Sequence, residues 1–231
     1  MSEMSKVAII PARGGSVRLP RKNVIDFLGR PIIAFTIEAA LECALFDRVI
    51  VSTDDDEIEE VARGFGAEIS RRPAELATAE ARVSDVCVAL LDEEEAAGRQ
   101  YDILTVLYAT APLRTAEDIR GTTNLAEGDD CDYAMGVTEL TMGIHQSMRL
   151  TTNGTLVPVF PDLVRSRSAV VEPYFLDNGS TYAVKIKAFR KFSAWYGTPL
   201  RGYSMPAERS VDIDTFEDFE LARFYGERAK L

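Results

Sequence analysis

A chain of 231 residues with 46% hydrophobic and 27% charged side chains has the length and ordinary composition of one globular domain with a real core. Its 26 Lys and Arg stand against 37 Asp and Glu, a formal charge of −11 that argues against a general nucleic-acid or anionic-membrane surface. No apolar run approaches the ~20 residues of a membrane helix, and Met1 to Lys6 carry no apolar leader, so a cytoplasmic location is expected. Cys43, Cys87 and Cys131 are widely spaced and odd in number, as buried thiols in a reducing compartment would be, and unlike a disulfide framework or zinc cluster. His145 is the only histidine, which disfavours His-based acid–base chemistry.

The first apolar run, Val7 to Ile10, predicts a buried strand, because consecutive apolar residues leave no solvated face. A loop follows with Gly14, Gly15 and Ser16, then Arg18, Pro20, Arg21, Lys22 and Asn23. Glycines let backbone N–H groups approach an anion closely. The cations Arg13, Arg18, Arg21 and Lys22 cluster at the carboxyl end of a first strand, where open α/β sheets bind ligands. A polyphosphate site is the favoured reading over a solvated basic turn.

Ile33, Ile37, Ala40, Leu41 and Ala44 recur at helical spacing from Pro31 to Phe46. Arg48 to Ser52 predicts a second strand. Thr53-Asp54-Asp55-Asp56 then opens a helix with Ile58, Val61, Ala62 and Phe65 inward and Gly66 at its end; the acidic run reads as capping in preference to a metal site. Ala67 to Ser70 predicts a short strand, Val83 to Ala97 a helix, and Asp102 to Leu107 a third long strand. A loop over 108–114 leaves that strand, Thr115 caps a helix through Ala126, and Cys131 to Glu139 is strand again. Strands alternating with helices predict an α/β fold: a mostly parallel, doubly wound sheet with helices on both faces.

Residues 140–175 break the rhythm with Gly143, Asn153-Gly154, Pro158, Pro161 and Pro173 and the basic pair Arg165 and Arg167. An excursion of hairpins and loops, with a tight turn at Asn153-Gly154, is expected within a single domain spanning 1–231. Too small for its own core, it suits packing on a second copy, so a homodimer is expected. Asn178 to Ile186 returns to strand, Ser210 to Asp214 forms a last short strand, and Thr215 to Arg228 closes the chain as a helix with Phe216 and Phe219 inward.

On a strand, Asp212 and Asp214 point one way while Val211 and Ile213 point into the core. Two carboxylates so placed repel unless a cation lies between them. Hard oxygen ligands suit Mg²⁺, which keeps several waters and bridges to phosphates. In the alternative, Asp214 only caps the last helix and Asp212 is solvated.

Six segments in this order carry a resemblance: Pro-Ala-Arg-Gly-Gly-Ser-x-Arg-x-Pro-x-Lys-Asn (11–23), Phe-Asp-Arg-Val-Ile-Val-Ser-Thr-Asp (46–54), Arg-Pro-Ala-Glu-Leu-Ala (72–77), Thr-Ala-Pro-Leu-Arg (110–114), Asn-Gly-Ser-Thr-Tyr (178–182) and Glu-Arg-Ser-Val-Asp-Ile-Asp-Thr (208–215). The chain resembles the cytidylyltransferases that activate 3-deoxy-2-keto acidic sugars: CMP-sialic acid synthetases and their bacterial relatives for pseudaminic and legionaminic acids. The resemblance implies a three-layer nucleotide-diphosphosugar transferase fold (Rossmann-like, GT-A-like). It implies that CTP and an acidic sugar give CMP-sugar and pyrophosphate, with Mg²⁺ as cofactor. It places Ala12, Arg13, Gly14, Gly15, Ser16, Lys22, Asn23, Arg72, Ser84, Tyr108 and Thr110 on the nucleotide and Asn178 in the sugar pocket. By the same resemblance Arg13, Lys22, Asp212 and Asp214 would carry the catalysis, the two aspartates as metal ligands.

Several positions depart from the family's pattern. Sialic-acid enzymes have Gln-Pro where this chain has Tyr108-Ala109, and Tyr-Ala-Thr-Ala-Pro looks more like the pseudaminic-acid branch. Val17 and Gln146 stand where lysines are usual, and Leu176-Asp177 where an arginine precedes the sugar-pocket Asn. Arg165 and Arg167 are then the candidates for the sugar carboxylate, since a guanidinium fork matches its geometry. A metal-dependent glycosyltransferase and a catalytically silent nucleotide binder are the competing readings.

Overall fold

The computed structural model describes residues 4–16, 18–141, 143–166 and 172–230. In chain order the elements are β1 (Lys6–Pro11), a small hairpin of β2 (Asp26–Phe27) and β3 (Arg30–Pro31), α1 (Ile32–Glu42), β4 (Arg48–Thr53), α2 (Asp56–Gly64), β5 (Glu68–Arg71), α3 (Val83–Ala96) and β6 (Ile103–Leu107). There follow α4 (Ala116–Glu127), β7 (Tyr133–Glu139), β8 (Met148–Leu150), β9 (Leu156–Pro158), β10 (Phe175–Lys185), α5 (Ile186–Phe192), β11 (Leu200–Ser204) and α6 (Phe216–Ala229).

Val7 to Ile10 are fully buried, so β1 must be paired on both edges and covered on both faces. It lies in a seven-stranded sheet of order β11-β7-β10-β6-β1-β4-β5. Period-two alternation divides its side chains between two layers. Ala8 and Ile10 pack with Ile33, Ile37 and Ala40 of α1 and Ile58 and Ala62 of α2. Val7 and Ile9 pack with Cys87, Leu90 and Leu91 of α3 and Phe189 of α5. The expected helix-covered sheet is thus present, with one exception to its parallel sense: β10 runs antiparallel to both β6 and β7.

A third core joins the two ends of the polypeptide. Leu19 and Phe27, following the first loop, pack with Leu113, Val211, Ile213 and Phe219. Phe27 meets Phe35 and Phe219 edge-on at 5.3 and 5.8 Å, a geometry favoured by ring quadrupoles. This packing brings the loop after β1 to the segment before α6.

Several elements differ from expectation in boundary, type or exposure. Helix α1 stops at Glu42 rather than Phe46; Ala44 is left-handed (φ +52°), and Asp47 then anchors the chain by accepting the Lys6 amide at 2.8 Å. Residues 210–214 form an extended loop and no ladder, although the Ile213 amide donates to the Thr110 carbonyl at 2.9 Å. The alternation survives because extended backbone keeps it, so Val211 and Ile213 face the core. Phe216 is 60% exposed, because the first helical turn stands clear of the hairpin that buries Phe219. Helix α5 and strand β11 have no periodic signature: α5 is one short piece held by Phe189, and β11 is mostly exposed and pairs only with β7 in the described sheet. The excursion holds the expected hairpin, β8 against β9, with Gly154 at φ +82° in its turn.

Candidate active site

The loop after β1 is pinned at both ends. The Ala12 amide donates to the Ser52 carbonyl at 2.9 Å, the Gly14 amide to Asp54 Oδ1 at 3.0 Å, and Asn23 Nδ2 to the Arg13 carbonyl at 2.9 Å. A Cβ on Gly14 would lie 2.5 Å from an Asp55 oxygen, so only glycine lets the loop sit against the start of α2. Asp55 is the N-cap of α2, accepting the Ile58 amide at 3.1 Å, which supports the capping reading of the acidic run.

Of the clustered cations, Arg21 turns away. It is left-handed (φ +56°) and forks onto Asp55 and Glu57, locking the loop to α2. Arg13, Arg18 and Lys22 instead line a cleft of about 290 Å³ together with Arg72, Ser16, Asn23, Tyr108 and Thr110. Ala79, Ala81, Val83 and Val86 form its opposite, apolar side. Positive charge beside a flat apolar slot suits a polyphosphate attached to a planar ring. Arg13 reaches the Thr78 carbonyl (3.0 Å) and Arg72 the Ser52 carbonyl (2.9 Å), so both guanidinium groups are held in place. Burial lowers the proton affinity of Arg72, since desolvation disfavours its charge.

The acidic couplet, from the other end of the chain, contacts three residues of the cleft lining, Arg18, Lys22 and Thr110. Lys22 Nζ donates to Asp214 Oδ1 at 3.0 Å, a contact spanning 192 residues, and to the Ile213 carbonyl at 3.3 Å. Arg18 pairs with Asp214 Oδ2 at 2.8 Å. Thr110 Oγ1 donates to Asp212 Oδ1 at 2.6 Å. Burial, then the charge of Asp214, raises the pKa of Asp212 against the Thr110 hydrogen bond. Burial would raise Asp214 too, but the Lys22 hydrogen bond and the charges of Lys22 and Arg18 outweigh it and hold Asp214 below the usual range.

Gly179 completes the arrangement. The register of β10 shifts between Asp177 and Tyr182, and Gly179 within that bulge has φ +65°. A Cβ there would stand 2.5 Å from Asp212 Oδ2. Beneath it, buried Arg114 donates to the Ser180 carbonyl and to Thr36 Oγ1 (2.8 Å), tying the bulge to α1; burial pushes its pKa down to about 9. Asp177, in the same bulge, accepts from the hydroxyls of Tyr182 (2.8 Å) and Tyr196, and Tyr182 packs edge-on against Tyr108 at 5.8 Å.

Most of the expected nucleotide residues are therefore brought together, and the others lie elsewhere. Ala12 is fully buried and contributes backbone only. Gly14 and Gly15 shape the loop; a Cβ on Gly15 would meet nothing within 4 Å. Ser84 is buried in the first turn of α3, where helical spacing puts Val83 and Val86 on the cleft instead. Asn178 is 5% exposed, and its amide is spent on Ser210 Oγ (3.1 Å) and Ser180 Oγ (2.8 Å), so it braces the bulge rather than opening onto the cleft. Arg165 is exposed on the excursion, outside the cleft lining, and Arg167 lies outside the described residues. Asp54 and Arg114 each end one of the segments that carry the resemblance, but their roles as loop anchor and buried brace depend on residues distant in the chain and were not legible in it. The Asn-Gly pair at 178–179 was a turn signal that the strand assignment absorbed.

Asp212 and Asp214 are the residues that could hold a Mg²⁺ ion, hard carboxylate oxygens being its usual protein ligands. Among the described residues no group of three or more His, Cys, Asp or Glu is placed to hold a metal, so such an ion depends on its nucleotide for further ligands. Also among the described residues, no helix is long and apolar enough to cross a membrane.

The cytidylyltransferase family model matches residues 7–222. The chain is 33% identical to the pseudaminic acid cytidylyltransferase of Campylobacter jejuni, with 95% of each chain covered. It is 32% identical to the N-acylneuraminate cytidylyltransferase of Escherichia coli over 94% of this chain and 51% of that protein. Its fold matches the CTP complex of a CMP:2-keto-3-deoxy-manno-octonic acid synthetase with a TM-score of 0.74 at 20% identity, covering 97% of this chain and 99% of that one. With the glycine loop, the cationic cleft and the carboxylate couplet in one place, the chain belongs to the cytidylyltransferase family.

Proposed function

We propose that this protein transfers a cytidylyl group from CTP to an acidic 3-deoxy-2-keto sugar of the pseudaminic or sialic acid type, releasing pyrophosphate. The observation that carries the reading is the Lys22–Asp214 contact, which joins a cation of the cleft lining to the couplet. Arg13, Lys22 and Arg72 neutralise the triphosphate, and preorganised charge of this kind is the main source of stabilisation in phosphoryl-type transfer. The apolar side at Val83 and Val86 takes the base, and Ser16 and Asn23 hold the loop against the phosphates. Asp212 and Asp214 would hold Mg²⁺, which would supply Lewis-acid polarisation of the phosphate under attack. Thr110 and Gly179 fix the Asp212 carboxylate, and the Asp177–Tyr182 bulge walls the side where the sugar enters.

The test is pyrophosphate release with each nucleoside triphosphate against a panel of nonulosonic and related acids, with product masses recorded. Turnover with CTP and at least one such acid, stopped by a chelator and restored by Mg²⁺, is expected. No release with CTP and any acid by folded, Mg²⁺-loaded protein rejects the assignment.

The excursion and the adjoining sheet edge support a homodimer. Leu150 (67% exposed), Leu156, Val159, Phe175 and Leu176 are all exposed in that stretch, apolar side chains that a second copy could cover. Light scattering after gel filtration is expected to give twice the monomer mass, and replacing Leu150 and Leu156 by Lys is expected to return it to one. A wild-type monomer at micromolar concentration counts against the dimer.

A further inference from the structure

Asp214 spends both carboxylate oxygens on cations of the glycine loop: Oδ1 accepts from Lys22 and Oδ2 pairs with Arg18. Asp212 is different, hydrogen-bonded to the Thr110 hydroxyl and packed against the Gly179 backbone. The two carboxylates are therefore unequal toward a divalent cation. A hard cation needs direct contact with an oxygen lone pair, and at Asp214 each oxygen already faces a cationic donor that occupies one lone pair and repels a second cation. Both donors also line the nucleotide cleft. A triphosphate carries several negative charges against the single charge of Asp214, and guanidinium and ammonium groups bind phosphate oxygens strongly.

We propose that Arg18 and Lys22 guard Asp214, so that a divalent cation completes the aspartate couplet only as a triphosphate draws the two cations away. This rests on the nucleotide-cleft reading above. The side chain of Arg18 is 65% exposed and that of Lys22 21% exposed. Arg18 is thus the mobile half of the guard, while Lys22 keeps its second contact, to the Ile213 carbonyl. Metal and nucleotide consequently raise each other's affinity, as linkage requires. Arg13 serves as the internal comparison, since it lines the same cleft but reaches the Thr78 carbonyl and not Asp214.

The test uses Mn²⁺ alone as the probe, with free Mn²⁺ read by electron paramagnetic resonance in nucleotide-free protein. Arg18→Gln is expected to bind Mn²⁺ about fivefold tighter than wild type, the factor equivalent to the ~1 kcal/mol upper range of an exposed ion pair. Arg13→Gln is expected to change affinity by less than about twofold, because a charge out of contact is screened. Adding Asp214→Asn to Arg18→Gln is expected to erase the gain. No gain in Arg18→Gln, an equal gain in Arg13→Gln, or a gain that survives Asp214→Asn overturns the proposal. Melting curves for each variant confirm that the binding data come from folded protein. No step uses CTP or turnover, so a failed pyrophosphate assay beside an intact Arg18→Gln gain rejects the activity while the guard contact stands. Turnover beside no gain rejects the guard alone.

Discussion

Asp212→Asn is expected to lower kcat for pyrophosphate release by about a thousandfold, ~4 kcal/mol of transition-state stabilisation, the scale of removing a metal ligand or a preorganised charge. The same variant is expected to melt at or above the wild-type temperature. The reason lies in the sign of its pKa shift. Folding raises the Asp212 pKa, first through burial and then through Asp214. An acid whose pKa rises on folding binds its proton more tightly in the folded state, so its ionisation destabilises the fold at pH values above the unfolded value. Asparagine is close in size, still accepts the Thr110 hydroxyl, and carries no charge to desolvate or repel Asp214. A carboxyl placed where its ionisation costs stability marks Asp212 as a candidate functional residue. Matching losses of rate and melting temperature would make Asp212 a structural residue and remove it from the proposed mechanism.

Gly179→Ala is the second large effect. At φ +65° an alanine is strained, and its Cβ would lie 2.5 Å from Asp212 Oδ2, 2.9 Å from Cγ and 3.0 Å from Cβ of that residue. The carboxylate cannot simply swing aside, because Oδ1 is held by Thr110 at 2.6 Å. Either the bulge or the aspartate shifts, and a displacement of this size at a reacting centre costs on the order of a hundredfold in rate. The stability cost is expected to be about 1–3 kcal/mol. Gly154 supplies the comparison: it has φ +82° and nothing within 4 Å of a built Cβ. Gly154→Ala is expected to lose a similar backbone increment with kcat unchanged. If Gly179→Ala keeps wild-type kcat, the close approach of the bulge to Asp212 has no catalytic consequence.

Much of the fold was legible because its signals are local. Val7 to Ile10 and Asp102 to Leu107 are apolar runs that only a strand covered on both faces can bury, and Thr115 caps α4 by its own sequence, with Asp118 closing the capping box. The antiparallel sense of β10 was not legible. Its residues read as strand whichever way they run, and direction shows only in its pairing with β6 and β7. Strand β11 has no buried face to print a period on its side chains.

The site divides along the same line. Amino-acid types and short spacings settled which chemical groups were available: a glycine loop rich in cations, and two aspartates whose extended backbone turns them to one side. Packing settled where each one points. The third core holds Lys22 against Asp214 across 192 residues, while the left-handed turn at Arg21 sends that cation to α2 instead of the cleft. Packing also ties the buried Asn178 side chain to Ser210, and the β10 bulge sets Gly179 against Asp212. Side-chain chemistry is a property of each residue alone, whereas direction and distance come from contacts between segments far apart in the chain, which no local pattern encodes.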